Sequence, residues 1–146
     1  MEIKKGYDFL NSIRKCDDRI RRLKYTLAEL RACELPRNGN SSGITSQGKS
    51  KSQVERIALR INSLEKDLEN VIEQKKIAIC DVDDALDKLP EGPEKTILYD
   101  CYVARIPMKK ISLNVGYSLK HCYKLRKKGI EQMEVEDETI NHYTGI

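Results

Sequence analysis

Apolar residues at alternating steps of three and four define two long segments of this chain and constrain its fold more than any other feature. In the first segment these residues are Phe9, Ile13, Cys16, Ile20, Leu23, Leu27 and Leu30. In the second they are Val54, Ile57, Ile61, Leu64, Leu68, Val71, Ala78, Val82, Ala85 and Leu89, with Lys75 interrupting the series. This spacing places each series on one face of an α-helix and is typical of coiled coils. We therefore predict two long amphipathic helices.

A polar segment separates the two predicted helices. Pro36 should end the first helix, because its ring cannot continue the backbone hydrogen-bond pattern. Residues 37–50 contain three Gly, four Ser and a single apolar side chain, Ile44. This composition is typical of a flexible loop, which we place over residues 35–51. The simplest resulting fold for residues 1–88 is an antiparallel helical hairpin.

The second helix is longer than the first, so part of its apolar stripe lacks a partner in a simple hairpin. Residues 9–30 match residues 54–75 in length. The stripe from Ala78 to Leu89 then has no partner from the first helix and should bury against the C-terminal domain, a second subunit or another protein. We predict a homodimer in which two hairpins cover this stripe. The competing hypothesis is a monomer whose stripe docks on its own C-terminal domain.

Residues 89–133 have the pattern of a helix-turn-helix. Two short amphipathic helices are predicted on either side of residues 114–118. Gly116 can adopt the positive φ that ends the first helix, and Ser118 can accept hydrogen bonds from the free N–H groups that begin the second. The positions expected to face the core are Ile111 and Val115 on the first helix and Cys122, Leu125, Gly129 and Met133 on the second.

Positive charge is concentrated on the same segment. Residues 108–128 contain seven Lys or Arg and no Asp or Glu, which is typical of a polyanion binder. Double-stranded DNA is the expected partner, because a helix of this kind reads base edges while cations hold phosphates. The candidate DNA-binding residues are Lys109, Lys110, Ser118, Lys120, His121, Tyr123, Lys124, Lys127 and Lys128. We expect bases to be contacted by Lys120, His121 and Lys124. We expect phosphates to be contacted by Lys109, Lys127 and Lys128.

Residues 89–133 also resemble region 4 of sigma-70-type RNA polymerase sigma factors, the module that reads a promoter element. That family opens with Leu-Pro-Glu, as residues 89–91 do here, and its turn carries a Gly and a Ser that match Gly116 and Ser118. The family usually has Ala where Gly129 stands and Glu where Lys110 stands. The resemblance implies a sigma region 4-like helix-turn-helix domain at residues 89–133. Together with the coiled-coil hairpin predicted from the apolar spacing of residues 1–88, it predicts an all-α fold.

A coiled coil ahead of such a domain resembles the layout of small phage and prophage transcription regulators of the autolysin-regulator type. The resemblance implies a sequence-specific regulator of phage or prophage late genes in the cytoplasm of a bacterial host, with RNA polymerase as a further candidate partner. The alternative is a phage assembly or packaging protein that resembles a small terminase subunit. In that class the DNA-binding part usually comes first, whereas here it comes last. A mass measurement separates the two, because packaging predicts a large ring.

Composition and motifs argue against an enzyme, a metal site or a membrane protein. Charged residues make up 34% of the chain and aromatic residues 5%, which suits helices rather than a β-rich core. The five cysteines and two histidines lack metal-ligand spacing, and the acidic cluster at residues 81–87 has no His or Cys at workable spacing. No phosphate loop, nucleophile–base arrangement, membrane-spanning run or signal segment is recognisable. We therefore expect no catalytic residue, cofactor, metal or membrane partner.

The last residues reverse the charge of the chain. Residues 131–146 contain five acids and no Lys or Arg. We interpret residues 134–146 as an acidic tail that is frayed and solvated. The alternative hypothesis is an acidic flap that competes with DNA for the basic helix.

Overall fold

The structure is a computed structural model, and it describes residues 1–34 and 51–144. The regular secondary structure of these residues is helical. The helices are α1 (Ile3–Leu10), α2 (Ser12–Glu34), α3 (Lys51–Asp87), α4 (Pro93–Leu98), α5 (Met108–Val115), α6 (Leu119–Gln132) and α7 (Asp137–Thr144), with a π-helical turn at Tyr99–Val103. The prediction of an all-α fold is confirmed. Within these described ranges, no helix has the combination of length and apolar character that crossing a membrane requires.

Two details of the predicted helices differ from the structure. The first predicted helix is divided at Asn11 into α1 and α2. Lys51, which we assigned to the loop, is the first residue of α3. The remainder of the predicted loop, including Pro36, lies outside the described residues.

The chain divides into two units, of which unit 2 is Cys16–Gln74. Its described part has an apolar core formed by α2 and α3. The residues of this core are Cys16, Ile20, Leu23, Leu27, Leu30, Ile57, Ile61, Leu64, Leu68 and Val71, and each of them belongs to a predicted apolar stripe. An ion pair also joins the two helices, with Arg31 Nη2 at 2.6 Å from Glu65 Oε1. Val54 was expected to be buried at the start of the second stripe, but it is 51% exposed.

Unit 1 combines Met1–Lys15 with the chain from Lys75 onward. Its main core brings three N-terminal side chains together with the end of α3 and with residues of α4, α6 and α7. These residues are Phe9, Leu10, Ile13, Ala78, Val82, Ala85, Leu86, Leu89, Leu98, Tyr102, Ile130, Met133 and Ile140. The expectation that the stripe from Ala78 to Leu89 has no partner from the first helix is therefore wrong. Burial of each large apolar side chain here stabilises the fold by about 1.5–3 kcal/mol.

The acidic C-terminal segment is helical and packed, so the expectation of a frayed tail is wrong for residues 137–144. Ile140 of α7 is 5% exposed and lies in the core of unit 1. The Tyr143 ring meets the Phe9 ring edge-on, with centroids 5.3 Å apart. The Tyr143 hydroxyl donates a hydrogen bond to Asp81 Oδ2 at 2.5 Å. These contacts hold α7 although its acidic residues, Asp137 and Glu138, remain exposed.

Gly129 marks a close approach between α6 and α4. A Cβ atom at this position would lie 2.8 Å from Leu98 Cδ1 and 3.2 Å from Glu94 Cβ. Leu98 is completely buried, so its side chain has little room to move away. This contact gives a physical reason for Gly at this position of α6.

Candidate nucleic-acid interface

The turn between α5 and α6 has the two local features that the sequence predicts. Gly116 ends α5 with φ 78° and ψ 17°, and its N–H donates to the Ser112 carbonyl at 3.0 Å. Ser118 lies at the N-cap of α6, where its Oγ accepts a hydrogen bond from the His121 N–H at 3.1 Å. The Ser112 hydroxyl also donates to the Tyr117 carbonyl across the turn. The predicted roles of Gly116 and Ser118 in the turn are confirmed.

Replacing Gly116 by Ala should destabilise unit 1, because an L-residue with a Cβ is strained at φ 78°. The expected loss is about 1–2 kcal/mol in the free energy of unfolding. Gly116→Asn is the matched control, since Asn tolerates the left-handed region better, and its loss should be smaller. Urea unfolding followed by circular dichroism measures both variants. A Cβ atom at this position would meet no described atom within 4 Å beyond its chain neighbours, so the loss is expected from backbone strain and not from a steric clash. Equal losses for Gly116→Ala and Gly116→Asn would contradict this origin.

A small apolar cluster fixes which side of α6 faces outward. Its buried members are Ile97, Ile111, Cys122 and Leu125, and Cys101, Ile106, Met108 and Val115 pack against them. Cys122 and Leu125 lie on one face of α6 and thereby anchor it to α4 and α5. The side chains on the opposite face of α6 are consequently directed to solvent.

All nine candidate DNA-binding residues are exposed. They are Lys109 and Lys110 on α5, Ser118 at the cap, and Lys120, His121, Tyr123, Lys124, Lys127 and Lys128 on α6. The residues on α6 therefore form a basic outer face, which we call the α6 basic face. The His121 ring meets the Tyr117 ring edge-on at a centroid distance of 5.1 Å, so its orientation is held by the turn.

Lys128 differs from its neighbours because it has a partner within the chain. Its Nζ lies 3.5 Å from Glu94 Oε1, and the Glu94 side chain is only 18% exposed. A largely buried carboxylate attracts the ammonium group more strongly than a solvated one. Among the three lysines that we expected to hold phosphates, Lys128 is thus the least available to a ligand.

A shallow groove of about 630 Å³ runs along the α6 basic face. It is lined by Tyr7, Leu119, Lys120, Tyr123, Lys124, Arg126 and Lys127. Sequence reasoning left Tyr7 out of the site, because this residue lies more than a hundred positions from α6 in the chain. The structure brings it close, with the Arg126 guanidinium 5.3 Å from the centre of the Tyr7 ring and 4.8 Å from that of Tyr123.

The acidic cluster at the end of α3 takes part in contacts within the chain. Asp81 accepts the hydrogen bond from Tyr143, and Asp87 Oδ1 lies 3.9 Å from Lys95 Nζ. A hydrogen bond from Lys95 to Glu91, 2.8 Å long, raises the pKa of Lys95. Among the described residues, no group of three His, Cys, Asp or Glu side chains is placed to hold a metal ion.

Comparisons with models of protein families, with curated proteins and with solved structures found no match for this chain. Its function is therefore inferred from its residues and their geometry.

Proposed function

We propose that this chain is a sequence-specific DNA-binding transcription regulator that uses α5, the turn and α6 as a sigma region 4-like helix-turn-helix. The observation that carries this proposal is the α6 basic face. Its cations lie on one exposed side of a helix whose other side is anchored in an apolar core. A helix held in this way can enter the major groove as a rigid body and present its side chains to base edges.

The two ends of α6 suit different parts of a DNA duplex. Lys120, His121 and Lys124 lie in its first half, which is the part that reaches base edges in helix-turn-helix complexes. Lys127 lies in its second half, and Lys109 and Lys110 lie near the start of α5. In the proposed complex these outlying lysines hold phosphates on either side of the groove. Phosphate contacts fix the register of the protein, whereas base contacts select the sequence.

The ion pair of Lys128 makes the proposal testable at single residues. Lys127→Ala should reduce the slope of log affinity against log salt by about one unit, as expected for one lost phosphate contact. Lys128→Ala should have a smaller effect, because Glu94 competes with phosphate for the ammonium group of this lysine. In a Glu94→Gln background the two lysine substitutions should become equivalent. Fluorescence anisotropy with a labelled duplex measures each slope. If Lys127→Ala leaves the slope unchanged, Lys127 does not contact phosphate.

The regulatory setting rests on the resemblance to phage and prophage regulators. Control of phage or prophage late genes, and contact with RNA polymerase, are parts of this proposal that the resemblance supports. The antiparallel hairpin proposed for α2 and α3 would then serve as the surface for dimerisation or polymerase docking. Its core belongs to unit 2, whereas α6 belongs to unit 1.

The homodimer stays a prediction, but the apolar stripe that was expected to form its interface no longer supports it. The residues of the stripe from Ala78 to Leu89 are buried within unit 1, so this stripe is not free to be shared between two hairpins. Light scattering of the full chain at micromolar concentration decides the oligomeric state. A dimer would give two recognition helices for a two-half-site operator. A large ring would instead support the packaging alternative.

A further inference from the structure

A second polar site lies within unit 1, next to the groove on the α6 basic face, and it shares Tyr7, Tyr123 and Arg126 with that groove. It is a cleft of about 490 Å³ whose lining includes Arg14, Arg105, Arg126, Tyr7 and Tyr102. The described residues that line it include three arginines and neither Asp nor Glu. A partly enclosed cleft lined by cations of one sign focuses a positive potential and attracts an anion.

Two residues that line this cleft each carry a buried polar atom that makes no hydrogen bond within the described residues. These atoms are the Tyr102 hydroxyl oxygen and Arg126 Nε. Tyr102 is only 7% exposed, and burial raises its pKa, so the hydroxyl stays protonated and can donate. A buried polar group without a partner costs about 1–3 kcal/mol. An acceptor that entered the cleft would recover part of that cost.

Contacts within unit 1 hold the Arg126 side chain at the cleft. The Arg126 guanidinium lies over the Tyr7 ring and over the Tyr123 ring, 5.3 Å and 4.8 Å from their centres, and its Nη1 donates to Cys101 Sγ at 4.0 Å. Arg14 and Arg126 both act electrostatically on the Tyr102 hydroxyl, which places their charges near it. Side chains that are held in place lose little conformational entropy on binding.

We propose that this cleft binds a phosphate monoester or a similarly compact dianion, with Arg14 and Arg126 supplying the charge and the Tyr102 hydroxyl donating a hydrogen bond. Arginine and a protonated hydroxyl match the acceptor oxygens of a phosphate group. The volume of the cleft falls within the range of small-molecule sites and leaves room for an organic group beside the phosphate.

The same phosphate chemistry could come from a free small molecule or from the DNA backbone, and we assign the cleft to the free molecule because it is a partly enclosed cavity. The assignment does not rest on the proposed DNA binding, since it is tested without DNA. Isothermal titration of the full chain, in a buffer free of phosphate and sulfate, is done with inorganic phosphate, AMP and adenosine as probes. Phosphate and AMP should bind saturably, and adenosine should not.

Substitutions of residues that line the cleft test whether AMP binds there. Tyr102→Phe removes only a hydroxyl that has no partner among the described residues and should leave the fold intact, so it is the main test. Tyr102→Phe and Arg14→Gln should each weaken AMP binding about 10-fold, the effect expected for loss of one hydrogen bond to a charged group. Arg19→Gln, at an exposed position of α2 in unit 2, is the matched control and should not change it.

Three results would overturn the assignment. The first is the absence of saturable phosphate and AMP binding. The second is AMP binding that neither cleft variant weakens. The third is a duplex affinity that falls in both variants while AMP does not bind, which would make the cleft an extension of the DNA interface.

Discussion

Reversing the charge of Lys120, Lys124 and Lys127 together, each to Glu, should reduce the affinity for duplex DNA at least about 100-fold near 0.1 M salt. These three side chains are exposed and line the groove on the α6 basic face. Each substitution removes an attraction to the phosphate backbone and adds a repulsion, so the losses should accumulate. Fluorescence anisotropy with the full chain measures the affinity.

The matched control has the same change in net charge at another place. Lys24, Arg60 and Lys66 are exposed on α2 and α3 in unit 2, away from the α6 basic face in the chain, and are also replaced by Glu. This control should retain most of the affinity, because none of its three residues belongs to the α6 basic face that the proposal assigns to the DNA contacts. If the two triple variants lose affinity equally, the attraction comes from net charge alone and the assignment of α6 is wrong.

Phe9→Ala should be among the most destabilising single substitutions, with a loss of about 3–5 kcal/mol in the free energy of unfolding. Phe9 is completely buried in the core of unit 1, which it shares with Ala78, Leu86 and Ile130. Its ring also contacts the Tyr143 ring. Truncation would leave a cavity among residues of α1, α3, α6 and α7, and DNA binding should decline together with the fold.

Tyr25→Ala is the control for Phe9, because it removes an aromatic ring that is 68% exposed on α2. Tyr25→Ala should change the free energy of unfolding by no more than about 0.5 kcal/mol. Urea and thermal unfolding followed by circular dichroism compare the two. A loss below about 1 kcal/mol for Phe9→Ala would contradict the place of the N-terminal segment in the core of unit 1.

Sequence periodicity predicted the parts of this fold that depend on local patterns. The apolar stripes from Cys16 to Leu30 and from Ile57 to Val71 do meet in one core. The turn at Gly116 and Ser118 was also predicted, because positive φ and N-capping depend on single residues and their immediate neighbours. Such signals can be read without knowledge of the tertiary structure.

Contacts between distant parts of the chain were not predictable in this way. Leu10 lies outside the heptad series, yet it is completely buried with Phe9 and Ile130. The acidic composition of residues 134–146 indicated a solvated tail, whereas Ile140 is buried in the core of unit 1 and Tyr143 packs against that core and bonds to Asp81. Both errors arise because burial depends on what packs against an element and not only on its own pattern.

The candidate site shows the same division. Exposure of the lysines on α6 followed from the apolar pattern on its opposite face. Two other contacts could not be predicted from the apolar pattern, because each joins residues from different helices. They are the ion pair between Lys128 and Glu94 and the approach of Arg126 to the Tyr7 ring. The cleft around Tyr102 was not predictable either, since its charged residues come from α2, α6 and the segment that precedes α5.

Selection of binding sites from a pool of random DNA duplexes, with the full chain as bait, tests the proposed function most directly. A sequence-specific regulator should enrich one short motif, and the variant with Lys120, Lys124 and Lys127 reversed to Glu should enrich none. A pool that remains random, or the same motif enriched by that variant, would contradict sequence reading by the α6 basic face.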